Sequence, residues 1–427
     1  MIDIKLIREN PELVKDNIRK KFQDHKLKLV DEVLELDKEI KELTSQAEIL
    51  RHRRNKLSSE INQYKKEGKD NSELLQEAKN IPLKIKEIED KSAILRDRFT
   101  KNMYAIPNIM HESVPIGKDA TQNVEREKIG HYKFMDFEPK NHVEILENLE
   151  VADFESSRKT SGNGFFYLEG ELAMLNQALI QFGIGFMVKR GYKLVEPPLM
   201  IRKEICDGVV DFEFFKNMAY KIEGEDSYLI ATSEHPLVGM MIGKIFKEED
   251  LPIKLVGYSQ CFRKEIGAHG IDEKGLYRTH QFNKVEQIII CKPEDSYRYY
   301  DEILTNSKEM FTELDIPTRV LECCSGDLAD LKSKSADLEA WSPRKKEYYE
   351  IGSCSNLTDA QARRLNIKVS DKEGEKRYAH TLNNTAIATS RAMVAIVENY
   401  QNSDGSITIP KALQPYMHGI KKIEKKV

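Results

Sequence analysis

Residues 261–282, CFRKEIGAHGIDEKGLYRTHQF, set Arg263 and Glu265 two apart, then place Arg278 shortly before His280, Gln281 and Phe282. Alternating polarity in FRKE and HQF predicts two short strand ends, joined by a long loop that holds Gly267, Gly270 and Gly275. Such a hairpin offers charges from its floor. An arginine there can grip oxyanions with a planar fork, which the point charge of a lysine does less well. Two more clusters carry similar residue types. ATSEHP puts Thr232 and Glu234 on the same side of an extended chain. HTLNNTAIATSRAMVAIVENYQ, residues 380–401, sets Arg391 near the start of an amphipathic helix. Taken singly, Thr, Glu and Arg on strands are most often surface residues, so only their combination carries a functional reading.

Much common chemistry is missing. There is no GxxxxGK[ST] loop and no GxGxxG after a strand, and HExxH and GxSxG are also absent. LKSKS, residues 331–335, is expected to be a solvated basic loop.

The elements that must position these residues lie after Ile106-Pro107-Asn108. There, β-rich segments such as YKLVEPPLM, SYLIATSE, LVGYSQCF and VEQIIIC alternate with helical stretches such as FFYLEGELAMLNQALIQFGIGFMVKR. Strands outnumber βαβ-like crossovers, which predicts an α+β body with an antiparallel sheet.

Before that body the sequence is periodic. Leu29, Val33, Leu36, Ile40, Leu43, Ala47, Leu50, Arg54, Leu57, Ile61 and Tyr64 fall at alternating steps of four and three, a heptad seam broken only by Arg54. The chain turns at EGKDNS, residues 67–72, and resumes with Leu74, Ala78, Ile81, Ile85, Ile88, Ser92, Leu95 and Phe99. Two helices packed as an antiparallel hairpin are expected, the first spanning on the order of 60 Å and projecting into solvent. Pro82 should kink the second helix or remove one hydrogen bond. The near half is acidic, whereas Arg51, Arg53, Arg54, Lys56, Lys65, Lys66 and Lys69 face only Glu60 and Glu67 in the distal half. That half reads either as a solvated coiled-coil face or as a lever carrying a polyanion contact.

Composition sets outer bounds. The 427 residues suggest two or more domains, and 32% charged residues balance to a net charge of only -4, so any nucleic-acid contact needs a local basic patch. No apolar run approaches 18 residues and the start lacks signal character, so a cytoplasmic protein without membrane association is expected. Cys206, Cys261, Cys291, Cys323, Cys324 and Cys354 show no CxxC spacing and should be reduced thiols.

The combination of FRKE, GLYRTHQFNKVE and NNTAIATSRAMVAIVENYQ resembles motifs 2 and 3 of class II aminoacyl-tRNA synthetases, and YKLVEPP resembles the end of motif 1. With MIDIKLIRENPELVKDNIRKK, the helical hairpin, PNIMHESVPIG, IATSE and SCSNLTDAQARRLNI, the resemblance extends over essentially the whole chain. It points to the seryl-tRNA synthetase family, in its archaeal and eukaryotic branch.

The resemblance implies a class II catalytic domain over 111–427, its antiparallel sheet flanked by helices. It also implies a tRNA-binding domain over 1–110, with a coiled-coil arm at about 27–103. The implied reaction is serine-tRNA ligation: L-serine and ATP give seryl-adenylate and pyrophosphate, then serine passes to tRNA(Ser) and, by the same resemblance, to tRNA(Sec). Arg263 and Arg391 would be catalytic. Thr232, Ser233, Glu234, Arg263, Glu286, Asn384 and Thr385 would bind serine. Arg263, Lys264, Glu265, Thr279, Phe282, Glu350, Ile351, Gly352, Ser353 and Arg391 would bind ATP, with Glu350 and Ser353 also holding Mg²⁺. Arg51, Arg53, Arg54, Lys56, Lys65 and Lys66 would meet tRNA. Family members are homodimers. No zinc is expected, because the rare zinc-dependent form lacks this arm pattern. Two other readings are an amino-acid activator for a carrier protein, which would lack the arm, and a non-catalytic RNA-binding relative, which would have lost Arg263, Glu265 or Arg391.

Overall fold

The structure, a computed structural model, describes residues 1–265 and 275–426, apart from the side chains of residues 212–214. Gly267 and Gly270 of the expected loop lie outside the described residues. The chain forms two compact units, Ile2–Pro107 and Met1 with Asn108–Val427.

In the first unit, two short helices, α1 (Ile4–Glu9) and α2 (Pro11–Lys20), precede a pair of long ones. The Asn10 side chain caps α2 by accepting from the Leu13 N–H, and Pro11 supplies a preset φ at its first turn. Helix α3 (Leu27–Glu67) ends at Gly68, whose φ of +63° is left-handed backbone that glycine adopts without a Cβ penalty. Helix α4 (Ser72–Ala105) then packs against it. Val33, Leu36, Ile40, Leu43, Ala47 and Leu57 are buried from α3, as are Ile81, Ile85 and Leu95 from α4.

The seam departs from its heptad at the arginines. Arg54 is exposed, since its charge is cheaper to hydrate than to bury. Its neighbour Arg53 instead reaches across to Glu77 with bonds of 2.8 and 2.6 Å, and to Glu60 at 3.1 Å. Arg51 meets Glu89 at 2.6 Å. The helix assignment runs unbroken through Pro82, flanked by buried Ile81 and Ile85.

The second unit is built on an eight-stranded sheet. Its strands in chain order are β1 (Val124–Ile129), β2 (Lys193–Val195), β3 (Ile253–Phe262), β4 (Gln281–Cys291), β5 (Thr318–Glu322), β6 (Lys334–Ser342), β7 (Glu347–Asn356) and β8 (His380–Ala388). Their order across the sheet is β1-β5-β6-β7-β8-β4-β3-β2. All pairs are antiparallel except β2 with β3, which makes the sheet mixed rather than wholly antiparallel. Helix α5 (Gly170–Lys189) leads into β2, and the crossover that joins the parallel strands β2 and β3 runs through residues 196–252.

Helix α5 is long and apolar enough to cross a bilayer. Here Leu172, Leu175, Leu179, Phe182 and Met187 are buried in the same core as Val285, Ile289 and Ile387 of the sheet. Helix α6 (Ser296–Glu313) also packs on β8. Helix α7 (Thr389–Asn399) continues directly from β8 and carries the Arg391 segment. All six cysteines are buried free thiols.

Candidate active site

Sheet register decides which side chains share a face. β3 and β4 pair Gly257 with Glu286 and Cys261 with Phe282, while β4 and β8 pair Glu286 with Thr385. β6 and β7 pair Asp337 with Ser353. These strands line a cavity of about 750 Å³, within the range of small-ligand sites. Thr232, Glu234, Arg263, Glu265, Thr279, Phe282, Glu286, Glu350, Ile351, Gly352, Ser353, Thr385 and Arg391 all face it. Residues separated by up to 159 positions, 232 to 391, thus meet in one chamber.

At one end, Glu286 is only 2% exposed. It pairs with Lys284 at 2.8 Å and accepts from the Thr385 hydroxyl at 3.3 Å. Glu234 accepts from Gln361 Nε2 at 2.9 Å, and its N–H donates to Thr232 Oγ1 at 3.2 Å. Gln361 is itself locked, donating to the Val209 carbonyl and accepting from Thr381. Burial, reinforced by the Glu286 charge, pushes the Glu234 carboxyl up to about 7. A carboxylate held this way gains most from a bound ammonium, which would restore its charge.

At the other end, Arg263 Nε donates to the Ala231 carbonyl at 3.2 Å, and its guanidinium lies 5.2 Å from the Phe282 ring centre. Arg278 approaches Glu265 at 3.5 Å. Arg391 contacts the Glu350 carboxylate at 3.1 Å and its backbone carbonyl at 3.0 Å, and covers the Tyr277 ring at 5.1 Å. Burial pushes the Glu350 carboxyl upward, but the charge and hydrogen bond of Arg391, with the charges of Arg263 and Lys332, together outweigh it and leave the group below its ordinary value. Burial and the Glu350 charge raise Asp337. Thr279 is 3% exposed, and its hydroxyl has no partner among the described residues.

Three expected residues are not in the lining. Ser233 is fully buried behind it, with its hydroxyl 3.4 Å from the Gly257 carbonyl. Lys264 follows the end of β3, where its N–H donates to the Met218 carbonyl at 2.8 Å, and its Nζ lies 5.9 Å from the Tyr220 ring centre. Asn384 is a correction of the same kind. Its amide donates to the Ile303 carbonyl at 2.5 Å and Ser307 Oγ at 2.9 Å, on the α6 side of β8. Its neighbour Asn383 faces the cavity instead. A β-bulge between Thr385 and Ile387 adds to the register irregularity of this strand.

The lining also includes residues not singled out from the sequence: Tyr277, Lys284, Asp327, Asp330, Lys332 and His235. Burial lowers the His235 imidazole to about 3. Lys332 belongs to LKSKS, so that segment is not simply a solvated basic loop. Only strand alternation within NKVE, which places Lys284 beside Glu286, gave a readable signal for any of these.

Of the six basic residues expected to meet RNA, Arg54, Lys56, Lys65 and Lys66 are exposed along α3, whereas Arg51 and Arg53 are engaged by carboxylates of α4.

Comparison with known proteins agrees along the whole chain. The family model of the seryl-tRNA synthetase N-terminal domain matches residues 1–110, and that of the class II tRNA synthetase core domain for G, H, P, S and T matches 216–400. A serine–tRNA ligase of Methanocella arvoryzae is 48% identical over 422 residues, covering 98% of this chain and 99% of the relative. The crystal structure of seryl-tRNA synthetase from Pyrococcus horikoshii complexed with ATP is 44% identical, with a TM-score of 0.93 over 100% of both chains. Cytoplasmic serine-tRNA ligase from Naegleria fowleri in complex with AMP is 35% identical, with a TM-score of 0.87 over 100% of this chain and 99% of that one. With both domain models matched in sequence order and full-length relatives far above the threshold of chance, this chain belongs to the seryl-tRNA synthetase family of class II aminoacyl-tRNA synthetases.

Proposed function

We propose that this protein ligates L-serine to tRNA(Ser) at the expense of ATP. The convergence of Glu234, Arg263, Glu286 and Arg391 on one cavity carries the reading. A serine carboxylate oxygen attacks the α-phosphorus of ATP and forms the acyl-phosphate bond. The bond to the β-phosphate breaks, and its electron pair leaves with pyrophosphate. The nucleophile is already anionic, so positioning and charge neutralisation dominate over base catalysis. The terminal ribose hydroxyl of tRNA then attacks the acyl carbon, losing its proton as AMP departs.

Arg263 is suited to hold the α-phosphate and serine carboxylate together, because no carboxylate pairs with it among the described residues. Phe282 offers a face to the adenine, Glu265 an acceptor for its amino group, and Thr279 a further polar contact. Arg391 acts at the far phosphates. Thr232 and Glu234 take the serine ammonium. Glu286 and Thr385, with Asn383 in the place first assigned to Asn384, surround the side-chain hydroxyl; alanine would leave these buried groups unpaired.

The donors at the Mg²⁺ position fit a hard cation: Glu350 offers a carboxylate, Ser353 a hydroxyl, and Asp337 pairs with Ser353 across the strands. Magnesium held there would neutralise phosphate charge. Arg54, Lys56, Lys65 and Lys66 offer an exposed basic face for folded RNA, which supports tRNA binding by residues 1–110, as the cavity lining supports catalysis by 111–427. Homodimerisation, action on tRNA(Sec) and a cytoplasmic location complete the proposal.

The test is ATP–pyrophosphate exchange with serine, threonine, alanine and cysteine. Serine should stimulate it best, and best stimulation by threonine would overturn the substrate assignment. Deleting residues 30–102 should abolish tRNA charging and spare exchange, whereas equal loss of both would assign the helical pair a structural role.

A further inference from the structure

We propose that Lys332 is a phosphate-binding residue of this site, a second cation held ready for ATP beside Arg263. The inference rests on the ligase reading and deepens it.

Acidic side chains outnumber lysine and arginine in the cavity lining, an unfavourable surrounding for a polyphosphate unless some cations remain uncommitted. Most are committed. Lys284 is paired with Glu286 at 2.8 Å, Arg391 with Glu350 at 3.1 Å and Arg278 with Glu265 at 3.5 Å. Lys332 differs: its Nζ donates to two neutral hydroxyls, Ser335 Oγ at 3.2 Å and Ser353 Oγ at 3.4 Å. Among the described residues no carboxylate stands within ion-pairing distance of it. An ammonium with long bonds to hydroxyls keeps most of its charge available to an incoming anion.

Its backbone is held in place. The Lys332 N–H donates to the Ala329 carbonyl at 3.0 Å, and the Ser333 N–H donates to the Asn356 carbonyl at 2.8 Å. The side chain therefore enters from a fixed point at the start of β6 and ends on Ser353, next to the oxygen donors of the metal position. That contact favours phosphate over the serine carboxylate. The amino-acid end already has Lys284, locked between Glu286 and the strand.

Lys332→Met keeps the length of the side chain and removes its charge, and Lys332→Arg keeps the charge. Calorimetric titration with ATP in EDTA, without serine, reads the contact apart from turnover. The expected result is a roughly tenfold weaker affinity in Lys332→Met, largely restored in Lys332→Arg. In exchange assays KM for ATP should rise several-fold, with KM for serine changed less than about twofold. Unaltered ATP affinity in a folded Lys332→Met protein would overturn the proposal, as would a rise confined to KM for serine. If Lys332→Met fails to fold, Lys332→Gln carries the same titration. Absence of serine-dependent exchange in the unsubstituted protein would instead refute the ligase reading, leaving the titration result to stand by itself.

Discussion

Glu234→Gln should make the protein more stable and nearly inactive at once. The carboxyl titrates near 7 in the fold against an ordinary value of 4.5, chiefly because it is buried. A displacement of that size corresponds to roughly 3 kcal/mol, and discounting for contact with the cavity leaves about 2 kcal/mol. Its sign follows from the direction. A group with a raised folded-state value binds its proton more tightly when folded, so its contribution is intact below about 4.5 and is lost as the pH rises to about 7. A glutamine carries no such charge and still offers an amide oxygen to Gln361. Urea unfolding at pH 8 should therefore show the variant about 2 kcal/mol more stable, and at pH 4.5 the difference should nearly vanish. Serine-dependent exchange at pH 8 should fall by about two orders of magnitude in kcat/KM, through loss of the carboxylate–ammonium pair. A variant that is less stable at pH 8, or that keeps its KM for serine, would refute the burial argument and the ammonium assignment respectively.

Arg263→Lys should lose roughly 2–4 kcal/mol of transition-state stabilisation in pyrophosphate exchange, since an ammonium cannot span phosphate and carboxylate together; near-normal kcat/KM would remove the bidentate role. Asn383→Ala should raise KM for serine about tenfold with little change in unfolding midpoint. Asn384→Ala should do the reverse, costing about 2–3 kcal/mol by orphaning groups on α6 while sparing KM, so thermal melts and kinetics on the pair decide which asparagine faces substrate. Replacing Arg54, Lys65 and Lys66 with glutamate should weaken tRNA binding and flatten its salt dependence without affecting exchange, which filter-binding across a salt series would show.

The catalytic residues were legible where types and spacing coincide on adjacent strands. Thr232 with Glu234, Arg263 with Glu265, and Glu286 all reach the cavity, but extended-chain alternation accounts only for Glu286, which lies within a strand. Glu234 opens a short helix after an αR Ser233, and Glu265 has a φ of +45°, so those two pairs arrive by turns rather than by strand parity. Asn384 entered the expected site beside Thr385, although alternation counted back from Thr385 points to Asn383; the β8 bulge lies beyond both, between Thr385 and Ile387. Ser233 and Lys264 entered the expected site by adjacency; in the fold Ser233 turns to the Gly257 carbonyl and Lys264 lies toward Tyr220. Lys332 was invisible for another reason: its role depends on Ser353 of β7, which its Nζ meets only in the fold, and on which other cations are already paired. In the helical pair, the hydrophobic rhythm fixed both helices and their turn. It could not tell that Arg54 would leave the seam while Arg53 crossed it, since that choice depends on Glu77 in the opposing helix.

A crystal structure with a non-hydrolysable seryl-adenylate analogue tests the central claim most directly. The account predicts the serine ammonium on Glu234, the phosphate mimic on Arg263, the adenine against Phe282 and the side-chain hydroxyl among Glu286, Thr385 and Asn383. An analogue bound outside this chamber, or inside it with its ammonium away from Glu234 and its phosphate mimic away from Arg263, would contradict it.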